Sequence, residues 1–211
     1  CHYFDSGFGS SIIHLSTFDL GPVTINPLEI EIWRGDIVES KHAAHYCIVD
    51  NFGEIISRGG DPNLITYLRS ASKPFQAMSV ILAGAAEKFK ITPKELALIT
   101  GSHGGEKIHT ELVISLLDRA GLSVDNLGCG THPPFDKTTR TALYKSGGKP
   151  QLTHHNCSGK HAGMLLTALV DKVPLEEYLS PASRVQQRIN NLICELTNLT
   201  PEELIVGIDG C

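Results

Sequence analysis

A serine and a lysine lie three residues apart at the predicted start of a helix. They are Ser70 and Lys73, in the segment Tyr67-Leu-Arg-Ser-Ala-Ser-Lys-Pro74. Side chains at this spacing share one face of a helix, within hydrogen-bond reach. A lysine can activate a serine once its ammonium has lost a proton, which burial or a neighbouring cation such as Arg69 favours. The alternative is a serine cap beside a solvated lysine, and since such caps are common, the spacing alone favours that alternative.

A glycine-rich junction, Gly101-Ser-His-Gly-Gly-Glu106, follows the next predicted helix. Glycines let backbone N–H groups approach a ligand closely, so Ser102 and His103 are candidates for a second nucleophile or an oxyanion-binding site. Glu106 is placed to open the following helix. A flexible connection between two helices explains the same composition equally well.

The third junction is His155-Asn-Cys-Ser-Gly-Lys-His161, which precedes a helix with apolar positions facing a core. Cys157 in this segment is a candidate nucleophile or metal ligand. Most free cysteines are instead buried and inert, and that alternative stays open here.

The charge and composition exclude several classes of partner. The chain has 18 basic and 23 acidic residues, a net charge of -5, and no long run of one sign. This balance predicts no binding to nucleic acid or to an anionic membrane, and it suits a neutral or zwitterionic small substrate. No run of 18 apolar residues and no signal-peptide pattern occurs, so we predict a soluble cytoplasmic protein. The six cysteines lack paired spacing, which predicts reduced thiols.

Hydrophobic periodicity predicts strands first and helices afterwards. Alternation over 28–32, 44–49 and 54–57 indicates an antiparallel meander. From Ser70 onward the period becomes helical, and we expect the first helix to bury one face formed by Phe75, Met78, Ile81 and Leu82. The predicted class is α+β, with helices packed on a largely antiparallel sheet.

Capping signals place the later elements. Thr92-Pro-Lys-Glu95 is a capping box with proline at the first helical position. Further helices are predicted over 106–120, 137–146, 158–171 and 181–197, and the apolar residues 204–206 are predicted to form a buried strand. Residues 1–26 show neither period, so we treat them as a leader that is disordered or foreign, ahead of a domain over 27–211.

Several motifs in one order resemble those of the Rhizobium-type L-asparaginases, the asparaginase II family. The resemblance covers about 27–211. It is carried by Arg-Gly-Asp-Ile-Val-Glu-Ser at 34–40, Tyr-Leu-Arg-Ser-Ala-Ser-Lys-Pro-Phe-Gln at 67–76, Gly-Ser-His-Gly-Gly-Glu at 101–106, Cys-Gly-Thr-His-Pro-Pro at 129–134, His-Asn-Cys-Ser-Gly-Lys-His-Ala-Gly-Met at 155–164 and Gly-Ile-Asp-Gly-Cys at 207–211.

The resemblance implies a fold related to serine β-lactamases and penicillin-binding proteins, in which the serine of an S-x-x-K element starts the central helix. Ser70 and Lys73 match that element. A second Ser/Lys pair is implied, whose serine matches Ser102 and whose lysine would lie beyond residue 211. We therefore expect the chain to be the N-terminal portion of a longer protein, with the C-terminal part of the fold missing, and to be inactive alone.

The resemblance also implies a zinc site with two thiolates and a lysine amine, matched by Cys157, Lys160 and Cys211. Soft thiolate and neutral nitrogen donors suit zinc better than Mg²⁺ or Ca²⁺. Asp209 and His161 stand where they would orient ligands or substrate. The residues assigned to substrate binding are Arg69, His103, Glu106, Asn156, His161 and Asp209.

The implied activity is hydrolysis of L-asparagine to L-aspartate and ammonia by a homodimer, and the sequence leaves open whether Ser70 or Ser102 is the nucleophile. Two other functions remain. A β-lactamase or transpeptidase would need a Ser-Asp-Asn element, which the sequence lacks. A degenerate, non-catalytic metal-binding protein is the other alternative.

Overall fold

Alternating apolar residues build the first part of the chain into two small antiparallel sheets. The computed structural model describes residues 12–14 and 26–207. Strands β1 (Ile12–His14), β2 (Leu28–Arg34) and β3 (Ile37–Ala44) form one sheet in the order β1-β2-β3, and β4 (Tyr46–Val49) pairs with β5 (Ile55–Gly59) in the other. The strands are antiparallel, as predicted, but they do not form one meander, because the predicted runs 28–32 and 44–49 lie in different sheets. Strand β1 lies within the segment 1–26, where the sequence shows no strand period.

The chain divides into two compact units, Cys1–Tyr67 and Leu68–Cys211. The second unit holds the helices. They are α1 (Lys73–Leu82), α2 (Ala85–Lys88), α3 (Pro93–Thr100), α4 (Lys107–Arg119), α5 (Lys137–Lys145), α6 (Ser158–Asp171) and α7 (Arg184–Thr197). The class is α+β, as predicted. The β-lactamase-like fold, the domain limits, the homodimer and the cytoplasmic location stay predictions.

Side-chain caps start three of the seven helices, α3, α5 and α7. Thr92 accepts from the Glu95 N–H and Glu95 accepts from the Thr92 N–H, which completes the predicted capping box of α3. The Asp136 carboxylate caps α5 by accepting from the Thr139 N–H. These signals act within four residues, so the sequence alone predicts them well.

Helix α6 is the most buried helix of the second unit, since its residues from Ser158 to Ala168 are buried with the exception of Lys160. It packs against α1, α3, α4 and α7. A Cβ added to Gly159 would lie 2.6 Å from the Leu98 carbonyl oxygen, and one on Gly163 would lie 2.8 Å from Ile99 Cγ2. The two glycines therefore let α6 approach α3 closely, which brings its first turn beside the end of α3.

The predicted inward face of α1 is wrong. Met78, Ile81 and Leu82 are exposed, whereas Ala77 and Val80 are buried. The smaller residues face inward because α6 and α3 lie close to α1 and leave little room for larger side chains.

The predicted buried strand over 204–206 is also wrong. Residues 204–207 form no strand, and Ile205 and Val206 are exposed. The preceding turn follows the local signal instead, because the Thr200 N–H donates to the Glu203 carboxylate at 2.8 Å.

Across residues 12–14 and 26–207, no helix is both long enough and apolar enough to cross a lipid bilayer. Two residues assigned to the site, Asp209 and Cys211, lie outside the described residues.

Candidate active site

The predicted contact between Ser70 and Lys73 forms. A 3-10 turn, Arg69–Ser72, carries Ser70, and α1 begins at Lys73. Lys73 Nζ donates to Ser70 Oγ at 2.9 Å. The lysine is buried, with 4% of its surface exposed, whereas Ser70 is exposed. This pairs an accessible hydroxyl with an amine that is shielded from solvent.

Two further features distinguish this pair from a capped surface helix. The N-cap residue of α1 is Ser72 rather than Ser70, and no described carboxylate forms an ion pair with Lys73. Arg69 has a φ of 50°, a left-handed conformation that non-glycine residues adopt at an energetic cost. Strained backbone of this kind is concentrated at functional sites.

The second candidate serine, Ser102, lies in the loop between α3 and α4. Its side chain is exposed and lines a cavity of about 370 Å³ together with His103, His109 and apolar residues of α3 and α4. Gly105 in this loop has a φ of 79°, and a Cβ there would lie 2.9 Å from the His154 carbonyl oxygen. The loop therefore needs glycine to turn against the segment before α6.

Glu106 is the N-cap residue of α4, so it opens that helix as the sequence predicts, and it is exposed. Its carboxylate lies 3.4 Å from His109 Nδ1. His103 is buried instead, and both of its ring nitrogens form hydrogen bonds within the protein, to Gly105 N and to Ser158 Oγ. Burial lowers the pKa of His103 to about 4, so the ring is neutral at physiological pH.

The first turn of α6 carries the two predicted zinc ligands that the structure describes. Cys157 is the N-cap residue, and its thiol is free and buried. Lys160 follows one turn later and is partly buried. Among residues 12–14 and 26–207, no cluster of three His, Cys, Asp or Glu side chains is arranged to hold a metal. This absence does not bear on the predicted zinc ligands, because one of them is a lysine and another, Cys211, lies outside these residues.

Neutral histidines surround this turn. Burial lowers the pKa of His155 to about 4, and His132, Lys160 and Lys73 add smaller effects in the same direction. Burial likewise lowers the pKa of His161 to about 3, with smaller effects from Lys160, His155 and Lys73. Helix α1, which begins at Lys73, packs against α6, so the Lys73 amine and the first turn of α6 lie in the same helical unit.

Tyr178 orients His161. The Gly128 N–H donates to the Tyr178 hydroxyl, which in turn contacts His161 Nδ1; both distances are 2.7 Å. Burial raises the pKa of Tyr178 to about 12, so the phenol keeps its proton. Because its oxygen already accepts from Gly128 N–H, we assign the phenol as the donor to Nδ1, which places the His161 proton on Nε2. Nε2 is buried and has no hydrogen-bond partner among the described residues. An acceptor group of a ligand would satisfy it.

Asn156 links two loops at this site. Its carbonyl accepts from the His103 N–H at 3.1 Å, and its own N–H donates to His132 Nε2 at 3.0 Å. The structure therefore brings Ser70, Lys73, the Ser102 loop and the 155–161 segment into one helical unit. Sequence reasoning missed Tyr178, Ser158 and His132, because each acts through residues far away in the chain.

Sequence comparison with known proteins gives a second line of evidence about this site. A search of curated proteins finds no match to the chain. The sequence model of the family described as L-asparaginase II matches residues 30–211, which include Ser70, Lys73, Ser102 and the complete 155–161 segment. This match covers most of the chain. The chain therefore belongs to the L-asparaginase II family.

Proposed function

We propose that this protein hydrolyses the side-chain amide of L-asparagine to L-aspartate and ammonia through a serine activated by lysine. The observation that carries the proposal is the 2.9 Å contact between the buried Lys73 amine and the exposed Ser70 hydroxyl. Membership of the L-asparaginase II family supports the substrate class. The neutral histidines around the lysine support a site built for a polar ligand rather than for an ion pair.

The proposed reaction has two halves. A serine oxygen attacks the carboxamide carbon while the lysine amine takes the hydroxyl proton. The lysine then gives this proton to the leaving nitrogen, so the tetrahedral intermediate loses ammonia and leaves an aspartyl ester. Water then hydrolyses the ester and restores the serine. Backbone N–H groups at loop and helix starts are the donors suited to stabilising the oxyanion.

Either Ser70 or Ser102 can be the nucleophile in this scheme. Ser70 contacts Lys73 directly, whereas Ser102 is exposed at a cavity. We propose that both take part, one as the nucleophile and the other in proton transfer. Arg69, Glu106, Asn156, His161 and Asp209 remain proposed substrate-binding residues, and the free Nε2 donor of His161 supports that role for His161. For His103, which the sequence also assigned to substrate binding, we propose a positioning role instead, because both of its ring nitrogens already form hydrogen bonds within the protein.

A zinc ion held by Cys157, Lys160 and Cys211 is a further proposal. The described donors fit it, since a buried free thiol and an amine lie one turn apart at the positive end of α6, where a thiolate is favoured. When bound there, zinc would polarise and position a substrate oxygen. The surrounding residues of this chain would hold the Cys157 thiol and the Lys160 amine in place for the ion.

A substrate panel tests the proposal against its alternatives. Ammonia release from L-asparagine and L-glutamine and hydrolysis of a chromogenic β-lactam are measured with the full-length protein. We expect ammonia from L-asparagine. Hydrolysis of the β-lactam alone would support an acyl-enzyme hydrolase of the transpeptidase type, and inactivity on all three would support a non-catalytic metal-binding protein.

A further inference from the structure

A hydrogen-bonded chain with a single direction joins the Ser102 loop to α6. The Gly105 N–H donates to His103 Nδ1 at 3.2 Å, so the proton of the neutral imidazole lies on Nε2. That N–H donates to Ser158 Oγ at 2.9 Å, and the Ser158 hydroxyl donates to the Thr153 carbonyl at 3.1 Å. Every donor in the chain has an acceptor.

This arrangement has the residue types of a nucleophile and its base, but its protons are placed wrongly for that chemistry. Nε2 of His103 already carries the proton and cannot accept one from Ser158. The Ser158 hydroxyl is fully buried and already donates to a carbonyl, so no substrate reaches it. The pair therefore has a role other than nucleophilic attack.

The same residues hold the position next to Ser102. His103 is attached to the 155–158 segment twice, by its backbone N–H to the Asn156 carbonyl and by its ring to Ser158. Its ring also fixes the Gly105 N–H two residues further along. We infer that Ser158 is a positioning residue for Ser102 and acts through His103. This inference rests on the proposed function, in which Ser102 takes part in amide hydrolysis.

Replacing Ser158 with alanine tests the inference. The substitution leaves the buried His103 Nε2–H without an acceptor, which is costly and favours opening of the loop. Small displacements of reacting groups slow chemistry strongly. In Ser158→Ala we expect kcat for L-asparagine to fall roughly 10- to 100-fold while KM changes about threefold or less.

Amide hydrogen exchange measures the same effect independently of activity. In Ser158→Ala the amides of His103 and Gly105 should exchange at least ~10-fold faster than in the wild type, because local opening becomes easier. Ser79→Ala is the matched control: Ser79 is also a buried serine of the helical unit, and its hydroxyl donates only to the Gln76 carbonyl. Exchange of the two amides should not change in that variant.

Two substitutions of His103 show whether a loss of activity comes from the lost contact with Ser158 or from a general folding defect. Glutamine can place an amide N–H near the Nε2 position and reach Ser158, so His103→Gln should retain most of kcat. Asparagine is too short to do so, and His103→Asn should lose about as much as Ser158→Ala. Combining His103→Asn with Ser158→Ala should add little, because both remove one interaction.

The outcomes separate this inference from the proposed function. Unchanged exchange at His103 and Gly105 in Ser158→Ala overturns it, and so does faster exchange with wild-type kcat. If the wild type releases no ammonia from L-asparagine, the proposed function fails, and the exchange comparison with Ser79→Ala alone decides whether Ser158 holds the loop.

Discussion

At the scale of single residues, burial separates two serines that the sequence presents alike. Ser70 and Ser158 both lie three residues or fewer from a lysine. Ser70 is exposed and contacts the Lys73 amine, whereas Ser158 is fully buried and donates to a backbone carbonyl. Only the first arrangement suits attack on a substrate, because a nucleophile has to reach the carbon that it attacks.

The first prediction concerns the coupling of Ser70 and Lys73. Ser70→Ala and Lys73→Ala should each lower kcat for L-asparagine at least ~100-fold, and Ser102→Ala should do the same. The double variant of Ser70 and Lys73 should lose little more than either single variant, because groups that act as one unit fail together. Steady-state ammonia release measures all four variants. Full additivity of the two losses would contradict a coupled pair.

The second prediction concerns zinc. The purified full-length protein should contain about one zinc ion per chain, and Cys157→Ala should remove most of it because a thiolate ligand is lost. Cys194→Ala is the control, since Cys194 is another buried free cysteine but lies in α7. Elemental analysis gives the metal content. A zinc-free protein with full activity, or equal zinc in both variants, would remove the proposal.

At the scale of helices and strands, local signals predicted the ends of the helices better than the faces that they bury. The predicted limits of α6, 158–171, match Ser158–Asp171, and the capping box of α3 is present. The face of α1 was predicted wrongly because apolar residues occur on more than one side of that helix. Which side is buried depends on α6 and α3, which are distant in sequence.

The third prediction tests the close approach of α6 and α3. Gly159→Ala should lower the free energy of unfolding by about 2 kcal/mol or more, because the new Cβ would meet a backbone carbonyl that cannot move alone. Gly163→Ala is the comparison, since its Cβ would meet a side-chain methyl of Ile99, which can shift. It should cost less. Chemical denaturation measures both, and an equal or larger loss in Gly163→Ala would contradict this packing argument.

The contacts that build the site also divide into local ones, which the sequence predicts, and long-range ones, which it does not. The Ser70–Lys73 contact is predictable because three residues separate the pair. The contacts of His103 with Ser158 and of His161 with Tyr178 join positions 55 and 17 residues apart, and no local pattern indicates them. They depend on how α3, α6 and the loops between the helices pack.

At the scale of the whole molecule, the site places neutral histidines at the centre of the helical unit, and this links stability to pH. Burial lowers the pKa of His103 to about 4, below its ordinary value of 6.5. Between those values the unfolded chain binds a proton that the folded protein excludes. The stability contributed by neutral His103 is therefore complete above pH ~6.5 and is lost as pH falls toward ~4.

The fourth prediction follows from this linkage. Between pH 7 and pH 4.5, the free energy of unfolding of the wild type should fall by about 2 kcal/mol more than that of His103→Gln. The glutamine keeps the contact with Ser158 but does not titrate. Denaturant unfolding at the two pH values gives the difference. Equal losses in both proteins would show that His103 is not held neutral by the fold.

The most direct test of the central claim is to look for the aspartyl ester on serine. The full-length protein is mixed with L-asparagine, quenched in acid within a turnover and digested, and its peptides are weighed by mass spectrometry. Hydrolysis through a serine predicts an aspartyl group on the peptide that carries Ser70 or on the peptide that carries Ser102, and its loss when that serine is alanine. Steady ammonia release with neither adduct, and with full activity in both alanine variants, would contradict the mechanism proposed for this protein.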